Sequence, residues 1–122
     1  MMVVALEELG KKVHLSFLSA FYGNLLTEKQ RRALSLYCEE DLSLAEIAGE
    51  MGISRQAVHE AISRASSRMA EMESSLGLAA RYRQMENGLE QLRLMIQHHD
   101  YDQAEKMIDS LLAWDQEDQN GL

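Results

Sequence analysis

Four polar side chains in the middle of the chain have types and a spacing that suit contact with nucleic acid: Arg55, Gln56, His59 and Arg64. Arg and Gln side chains can each form paired hydrogen bonds to a base edge in the major groove of DNA. If a helix begins at position 55, its first turns project the first three of these side chains on one face. Three basic residues upstream could contact phosphates and complete the candidate site: Lys29, Arg31 and Arg32.

The residues around these side chains form a helix-turn-helix pattern. Ser43 and Glu46 have the spacing of a capping box, which predicts a short helix over 44–50. Gly52 then suits a tight turn, because glycine tolerates a positive φ. Ser54 is a suitable cap for a second helix, which we expect to run to about Met72.

Helical periodicity predicts an all-α fold with helices on both sides of this motif. The first helix should span 3–26, and we expect its apolar stripe to need either the next segment or a second chain as a partner. That stripe comprises Leu6, Val13, Phe17, Phe21 and Leu25, and Leu9, Leu18 and Tyr22 widen it. A second helix should follow the capping box Thr27-Glu28-Lys29-Gln30 and end near Cys38.

The C-terminal part has the pattern of a helical hairpin. Ser74, Ser75 and Gly77 mark the expected break, so the sequence predicts two parts, 1–73 and 74–122. After the break, apolar residues follow a heptad spacing: Leu78, Tyr82, Met85, Leu89, Leu92 and Ile96. A last helix has the stripe Tyr101, Ala104, Ile108, Leu111 and Trp114. The heptad could pack on this last helix or pair with a second chain, and we favour a homodimer that uses these additional helices.

The charge leaves two kinds of partner open. The whole chain has a net charge of −8, which argues against general attraction to nucleic acid. The predicted second helix of the motif, 54–68, has three Arg and one Glu and is therefore locally basic. The motif could thus bind nucleic acid, or it could be a packing module in a protein that binds a basic protein partner.

Residues that could support catalysis or bind a metal are few. His98-His99-Asp100 is better explained as a solvated helix end than as a metal site, because neighbouring helical residues point in different directions. Cys38 has no evident catalytic partner and suits a buried position. We therefore expect no enzyme activity, no cofactor and no metal. No apolar run reaches the roughly 18 residues of a membrane span, so a cytoplasmic protein without membrane insertion is expected.

Several segments together resemble one known family. They are Phe21–Gln30, Leu36-Tyr37, Glu40–Leu44 and Ile53–Val58, and the match is good over about 14–78. The sequence resembles the YlxM family of helix-turn-helix proteins, which is similar in its middle part to region 4 of sigma factors. The resemblance implies an all-α homodimer that acts in, or regulates, the signal recognition particle pathway. We therefore expect a regulatory protein that binds DNA or the signal recognition particle RNA. The alternative is an interaction protein that contacts the signal recognition particle GTPase without binding nucleic acid.

Overall fold

A computed structural model describes the backbone of residues 2–120 and the side chains of residues 2–114. This part of the chain is all-α and contains no strand. The helices are α1 (Met2–Tyr22), α2 (Glu28–Cys38), α3 (Leu44–Met51), α4 (Arg55–Leu76), α5 (Leu78–Gln97) and α6 (Tyr101–Asn120), and a 3-10 turn (Gly23–Leu25) follows α1. The chain divides into two compact units, Met1–Ala79 and Ala80–Leu122.

Local signals explain most helix ends. The Thr27 hydroxyl accepts the backbone N–H of Gln30 at 3.2 Å, and the Gln30 side chain accepts the N–H of Thr27 at 3.1 Å. This reciprocal capping box begins α2, as the sequence predicts. The first helix is shorter than expected, because the α-helix ends at Tyr22 and continues only as the 3-10 turn.

The expected break after α4 lies further along the chain than the serines suggested. Ser74 and Ser75 are still helical, and α4 ends only at Leu76. The chain turns at Gly77, which has a φ of 64° and whose N–H donates to the Glu73 carbonyl at 2.8 Å. Serine is merely a weak helix former, whereas a left-handed residue is what ends this helix.

The N-terminal unit has one continuous hydrophobic core, in which α1, α2 and α3 all pack on α4. Its most deeply buried side chains are Tyr22, Leu34, Ile47, Val58 and Met69. Each of these comes from a different helix except the last two, which both lie on α4. The core therefore fixes α4, the helix that has three of the candidate nucleic-acid-binding residues in its first turns.

The buried face of α1 differs from the predicted stripe. Leu15, Leu18 and Tyr22 are buried, while Phe17 and Phe21 are half-buried at the edge of the core. The remaining residues of the predicted stripe and its margin are exposed: Leu6, Leu9, Val13 and Leu25. The N-terminal half of α1 thus presents apolar side chains to solvent on a face that the core of the unit does not use.

A hydrogen-bonded cluster joins the end of α1 to the turn that follows α4. The Tyr22 hydroxyl donates to Glu73 Oε1 at 2.6 Å and accepts the Leu78 N–H at 3.2 Å. The same Glu73 oxygen accepts the Ala79 N–H at 3.0 Å. The two side chains therefore satisfy N–H groups in the first turn of α5, which have no partner within their own helix.

The C-terminal unit contains the antiparallel hairpin of α5 and α6. Gly88 lies so close to α6 that a Cβ atom there would be 2.6 Å from Leu111 Cδ2. Near the open end, the Arg81 guanidinium lies 5.5 Å from the centre of the Trp114 ring. The covered residues of α5 are therefore spaced as Arg81, Met85, Gly88, Leu92 and Met95.

This arrangement shows how much of the predicted heptad packs on the last helix, and it corrects the predicted last stripe. Of the heptad residues, only Met85 and Leu92 are half-buried, whereas Leu78, Tyr82, Leu89 and Ile96 are exposed. On α6, Ala104, Leu111 and Trp114 are at least half-buried, whereas Tyr101 and Ile108 are exposed. Within the hairpin, the heptad therefore packs on the last helix only through Met85 and Leu92, and its pairing with a second chain stays a prediction. The closest approach is at Gly88, which hydrophobicity alone does not identify as an interface residue.

A short turn at His98–Asp100 connects the two helices of the hairpin. His99 has a φ of 58°, and its Nδ1 lies 2.9 Å from the Tyr101 hydroxyl. Asp100 Oδ1 accepts the N–H of Gln103 at 3.2 Å and caps α6. None of the helices in the described part is both long and apolar enough to cross a bilayer.

Candidate nucleic-acid interface

The helix-turn-helix is formed by α3, a left-handed turn and α4. At its start, Ser43 Oγ accepts the Glu46 N–H at 3.1 Å, and Glu46 Oε1 accepts the Ser43 N–H at 3.0 Å. These hydrogen bonds stabilise the carboxylate and lower the pKa of Glu46. The Ser43 and Glu46 capping box therefore has the geometry that the sequence predicts.

Gly52 and Ser54 set the direction in which α4 leaves the turn. Gly52 has φ 67° and ψ 32°, a conformation that glycine adopts without strain. The Ile53 N–H donates to the Ala48 carbonyl at 3.2 Å, and the Ser54 hydroxyl accepts the Ala57 N–H at 3.0 Å. Val58 is fully buried one turn later, so α4 is fixed in both orientation and rotation.

Three of the predicted site residues occupy the start of this fixed helix. Arg55, Gln56 and His59 are all exposed, so their polar groups are available to a ligand. Gln56 and His59 are three residues apart and lie on neighbouring turns of one face. This is the placement that a helix needs if it is to present side chains to base edges in a major groove.

Arg64 lies further along α4 and already has an acidic partner. Its Nη2 is 2.6 Å from Glu60 Oε1, and both side chains are more than half exposed. An exposed ion pair of this kind is weak, so a phosphate could replace the carboxylate. Glu60 nevertheless reduces the positive potential that Arg64 contributes.

The upstream basic residues do not all lie beside α4. Lys29 and Arg64 line the same shallow groove, of about 190 Å³, between the start of α2 and α4. Arg31 and Arg32 instead line a depression formed by α1, the 3-10 turn and α2, with Glu28 and Glu39. Arg31 Nη1 also donates to Asn24 Oδ1 at 3.3 Å. The structure therefore groups Lys29 with the α4 residues and separates Arg31 and Arg32 from them.

The structure also brings α1 next to the candidate site. A groove of about 720 Å³ has Lys11 and Lys12 on one wall and His59 on the other. Lys12 is already occupied, because its Nζ lies 2.5 Å from Asp41 Oδ1 and 4.5 Å from the centre of the Tyr37 ring. The hydrogen bond to Asp41 raises the pKa of Lys12. Lys11 is exposed and is the more available cation.

Sequence reasoning missed Lys11 because its proximity to His59 depends on how α1 packs on α4. Ser63 and Ser67 add hydroxyl groups to the same groove. Glu8 and Glu46 also line it, so the groove is polar but not strongly basic. Nothing in the sequence near Lys11 links this residue to the helix-turn-helix.

Metal binding has no support in the part of the chain whose side chains are described. No three residues of the His, Cys, Asp and Glu types come together there in a way that could hold a metal ion. Cys38 is half-buried rather than fully buried, and burial raises the pKa of its thiol.

The fold and the geometry of α3, the turn and α4 define this chain as an all-α helix-turn-helix protein. The family model of the UPF0122 helix-turn-helix proteins, described as YlxM / p13 like, matches residues 9–111. The chain belongs to this family.

Individual relatives support the same assignment. The UPF0122 protein BH2485 of Halalkalibacterium halodurans is 44% identical over 85 residues, which cover 70% of this chain and 78% of the relative. The UPF0122 protein STH1464 of Symbiobacterium thermophilum is 39% identical over 99 residues, covering 81% and 92%. The UPF0122 protein ABC2295 of Shouchella clausii is 40% identical over 104 residues, covering 85% and 93%.

Proposed function

We propose that this protein is a regulator that binds nucleic acid through the start of α4 and that it has no catalytic role. The observation that supports the proposal is the exposed group of Arg55, Gln56 and His59 on a helix whose direction is fixed by Gly52 and the core. In this arrangement Arg55 and Gln56 would contact base edges, and Lys29 and Arg64 would contact phosphates.

Duplex DNA is the ligand that the geometry favours. A helix fits the major groove of B-form DNA, whereas the major groove of an RNA helix is too deep and narrow for side chains to read. The family resemblance adds a biological setting, the signal recognition particle pathway in the cytoplasm. We therefore propose the DNA upstream of the protein's own operon as the first target and the signal recognition particle RNA as the second.

The test is fluorescence anisotropy with labelled upstream DNA, random duplex DNA and signal recognition particle RNA. We expect the double change Arg55→Ala and Gln56→Ala to remove the preference for upstream DNA while the far-ultraviolet circular dichroism stays unchanged. The matched control is Arg31→Ala and Arg32→Ala, which lie outside the α4 groove. These changes should weaken binding to all duplexes equally, since they affect only long-range attraction.

The net charge of −8 favours a second candidate function, in which the protein acts by contacting a basic protein such as the signal recognition particle GTPase. Absence of binding to all three nucleic acids at low salt would contradict the first proposal and favour this one. A pull-down with that GTPase at low and high salt would then test it. Exposed charges are screened beyond about 10 Å at 0.1 M salt, so binding should weaken as the salt concentration rises.

We also propose that the protein is a homodimer, and the exposed half of α1 supports this. Leu6, Leu9 and Val13 are each about 60% exposed and recur on one side of the helix. Contiguous exposed apolar surface of this kind usually marks an interface. Sedimentation velocity should show a dimer for the wild type and a monomer for Leu9→Glu, and a monomeric wild type would contradict the proposal.

A further inference from the structure

Each helix of the C-terminal hairpin has a row of apolar side chains that the other helix does not cover, and we call this row the outer seam. On α5, the outer seam contains Leu89 and Ile96, which are 51% and 49% exposed. On α6, the corresponding residues are Ile108 and Leu112, which are 42% and 60% exposed. These four side chains are large and apolar, and the packing of α5 on α6 leaves them outside its interface.

Both outer seams lie on the same side of the hairpin. On each helix, every residue of the outer seam comes directly after a residue of the covered face, as Leu89 comes after Gly88 and Leu112 after Leu111. One residue corresponds to a rotation of about 100° round the helix. Because the two helices are antiparallel, equal rotations of this kind bring both seams to one face.

The pairing of Gly88 with Leu111 sets the order of the exposed side chains along this face. With a rise of 1.5 Å per residue, the order is Leu112, Leu89, Ile108 and Ile96. The side chains therefore alternate between the two helices and line a continuous groove. Two helices whose axes are about 8–10 Å apart leave a groove into which a third helix can pack.

Charged residues in the outer seams indicate what kind of helix would fit. Glu86 and Glu105 occupy the seam positions that directly precede Leu89 and Ile108, and both are exposed. Arg93 also lies in the α5 seam, but its Nη2 is 3.5 Å from Glu90 Oε1, which balances its charge. The groove thus combines four large apolar side chains with charged residues whose net charge is negative.

We propose that this groove binds an amphipathic helix of a partner protein, with apolar anchors at i, i+3 or i+4, and i+7, flanked by Lys or Arg. The anchors pack between Leu89 and Ile108, and the basic residues pair with Glu86 and Glu105. A second copy of this chain is a poorer occupant of this groove, because it would bring a second Glu86 and Glu105 close to the first pair. This surface is distinct from the start of α4, so the inference does not depend on nucleic-acid binding.

The test uses the full 122-residue chain and labelled synthetic peptides of about 20 residues with leucines at these anchor positions. One peptide has Lys at the flanking positions, the second has Glu there, and the third is a scrambled form of the first. We expect the Lys peptide to bind about tenfold more tightly than the Glu peptide, because two weak ion pairs would become two repulsions. The scrambled peptide should not bind.

Variants of exposed residues separate the groove from the rest of α5. Leu89→Glu should abolish binding of the Lys peptide, whereas Leu94→Glu should leave it unchanged. Leu94 is the matched control, since it is 54% exposed on the same helix but lies on another face. The double change Glu86→Lys and Glu105→Lys should reverse the preference and favour the Glu peptide.

Three outcomes would overturn the proposal. Equal affinity for the Lys and Glu peptides would show that charge does not select the occupant. Equal effects of Leu89→Glu and Leu94→Glu would show that the groove is not the binding surface. A wild-type dimer that Leu89→Glu, but not Leu94→Glu, converts to a monomer would show that a second copy occupies the groove.

Discussion

Tyr22 is the residue at which three segments of the N-terminal unit meet. Its ring is fully buried in the core, and its hydroxyl bonds both the Glu73 carboxylate and the Leu78 N–H. The sequence indicated only a residue at the margin of the apolar stripe of the first helix. Its second role is to form hydrogen bonds with polar groups at the end of α4 and the start of α5. These groups belong to residues 51 and 56 positions further along the chain, so no local sequence pattern reveals the contact.

Replacing Tyr22 with Phe should destabilise the protein by about 1–3 kcal/mol, because the Leu78 N–H and the Glu73 oxygen each lose a partially buried partner. Urea denaturation followed by circular dichroism would measure the loss. Tyr37→Phe is the matched control, since it removes a hydroxyl but retains the ring beside Lys12. A similar loss of stability in both variants would contradict the importance of the Tyr22 hydrogen bonds.

The stability of the protein should also depend on Tyr22 at alkaline pH. Burial, together with the hydrogen bond to Glu73, raises the pKa of Tyr22 above its ordinary value of 10.0. The folded state then holds this proton more tightly than the unfolded state does. The resulting contribution to stability is complete below pH 10 and is lost as the pH rises through the pKa of the folded state.

Melting temperatures between pH 8 and 11.5 would test this dependence. Lys12, whose pKa is also raised, contributes a similar alkaline loss to the wild type and to Tyr22→Phe. The difference in melting temperature between the two proteins therefore isolates Tyr22. We expect this difference to shrink above pH 10, and a constant difference would contradict the prediction.

At the scale of elements, the turn between α3 and α4 depends on the backbone conformation of Gly52. A Cβ at Gly52 would meet nothing within 4 Å, so the only obstacle to a side chain there is the positive φ of 67°. Gly49, in α3, also has open space around it but has no positive φ. The two glycines therefore differ in backbone conformation rather than in packing.

We expect opposite effects of alanine at these two positions. Gly52→Ala should destabilise the protein by about 1–2 kcal/mol, because an L-residue is strained in the left-handed region. Gly49→Ala should stabilise it by about 0.5–1 kcal/mol, because alanine is the better helix former. Denaturant midpoints would measure both changes, and a stabilising Gly52→Ala would show that the turn is not held in this conformation.

The hairpin shows why a periodic pattern does not by itself identify which face of a helix is covered. The helix α5 has two seams with the same heptad spacing, one through Gly88 and one through Leu89. The predicted heptad combined residues of both seams, since Met85 and Leu92 belong to the first and Tyr82, Leu89 and Ile96 belong to the second. The close approach of Leu111 to Gly88 decides that the first seam is the covered one.

At the scale of the whole molecule, the acidic charge limits how strongly the protein can attract nucleic acid. Besides Arg55, which is assigned to a base edge, four cations line grooves at the candidate interface and could contact phosphates: Lys11, Lys29, Arg64 and Arg68. Arg31 and Arg32 lie elsewhere on the surface. A small number of phosphate contacts implies a moderate dependence of affinity on salt.

If all four cations contact phosphates, the plot of log affinity against log salt should have a slope of about −3.6 for one chain, or about −7 for a dimer on two half-sites. Titration of duplex DNA between 50 and 200 mM salt would measure it. Lys29→Ala should make the slope shallower by about 0.9 per chain. A slope near zero would mean that none of these residues contacts a phosphate.

The sequence by itself determined the helices and the helix-turn-helix motif, because capping boxes and the turn glycine act within a few residues of one another. Thr27, Ser43, Gly52 and Ser54 have the roles that their local patterns predict. It also placed Arg55, Gln56 and His59 at the start of α4.

Only the tertiary structure decided which faces of the helices are covered and which distant residues meet. It placed Arg31 and Arg32 in a different depression from the α4 groove, placed Lys11 and His59 on facing walls of one groove, and joined Tyr22 to Glu73. Such contacts depend on how closely two helices can approach and on their rotation about their axes. Packing around small residues sets both the distance between two helices and their rotation, and the local periodicity of the sequence does not encode this packing.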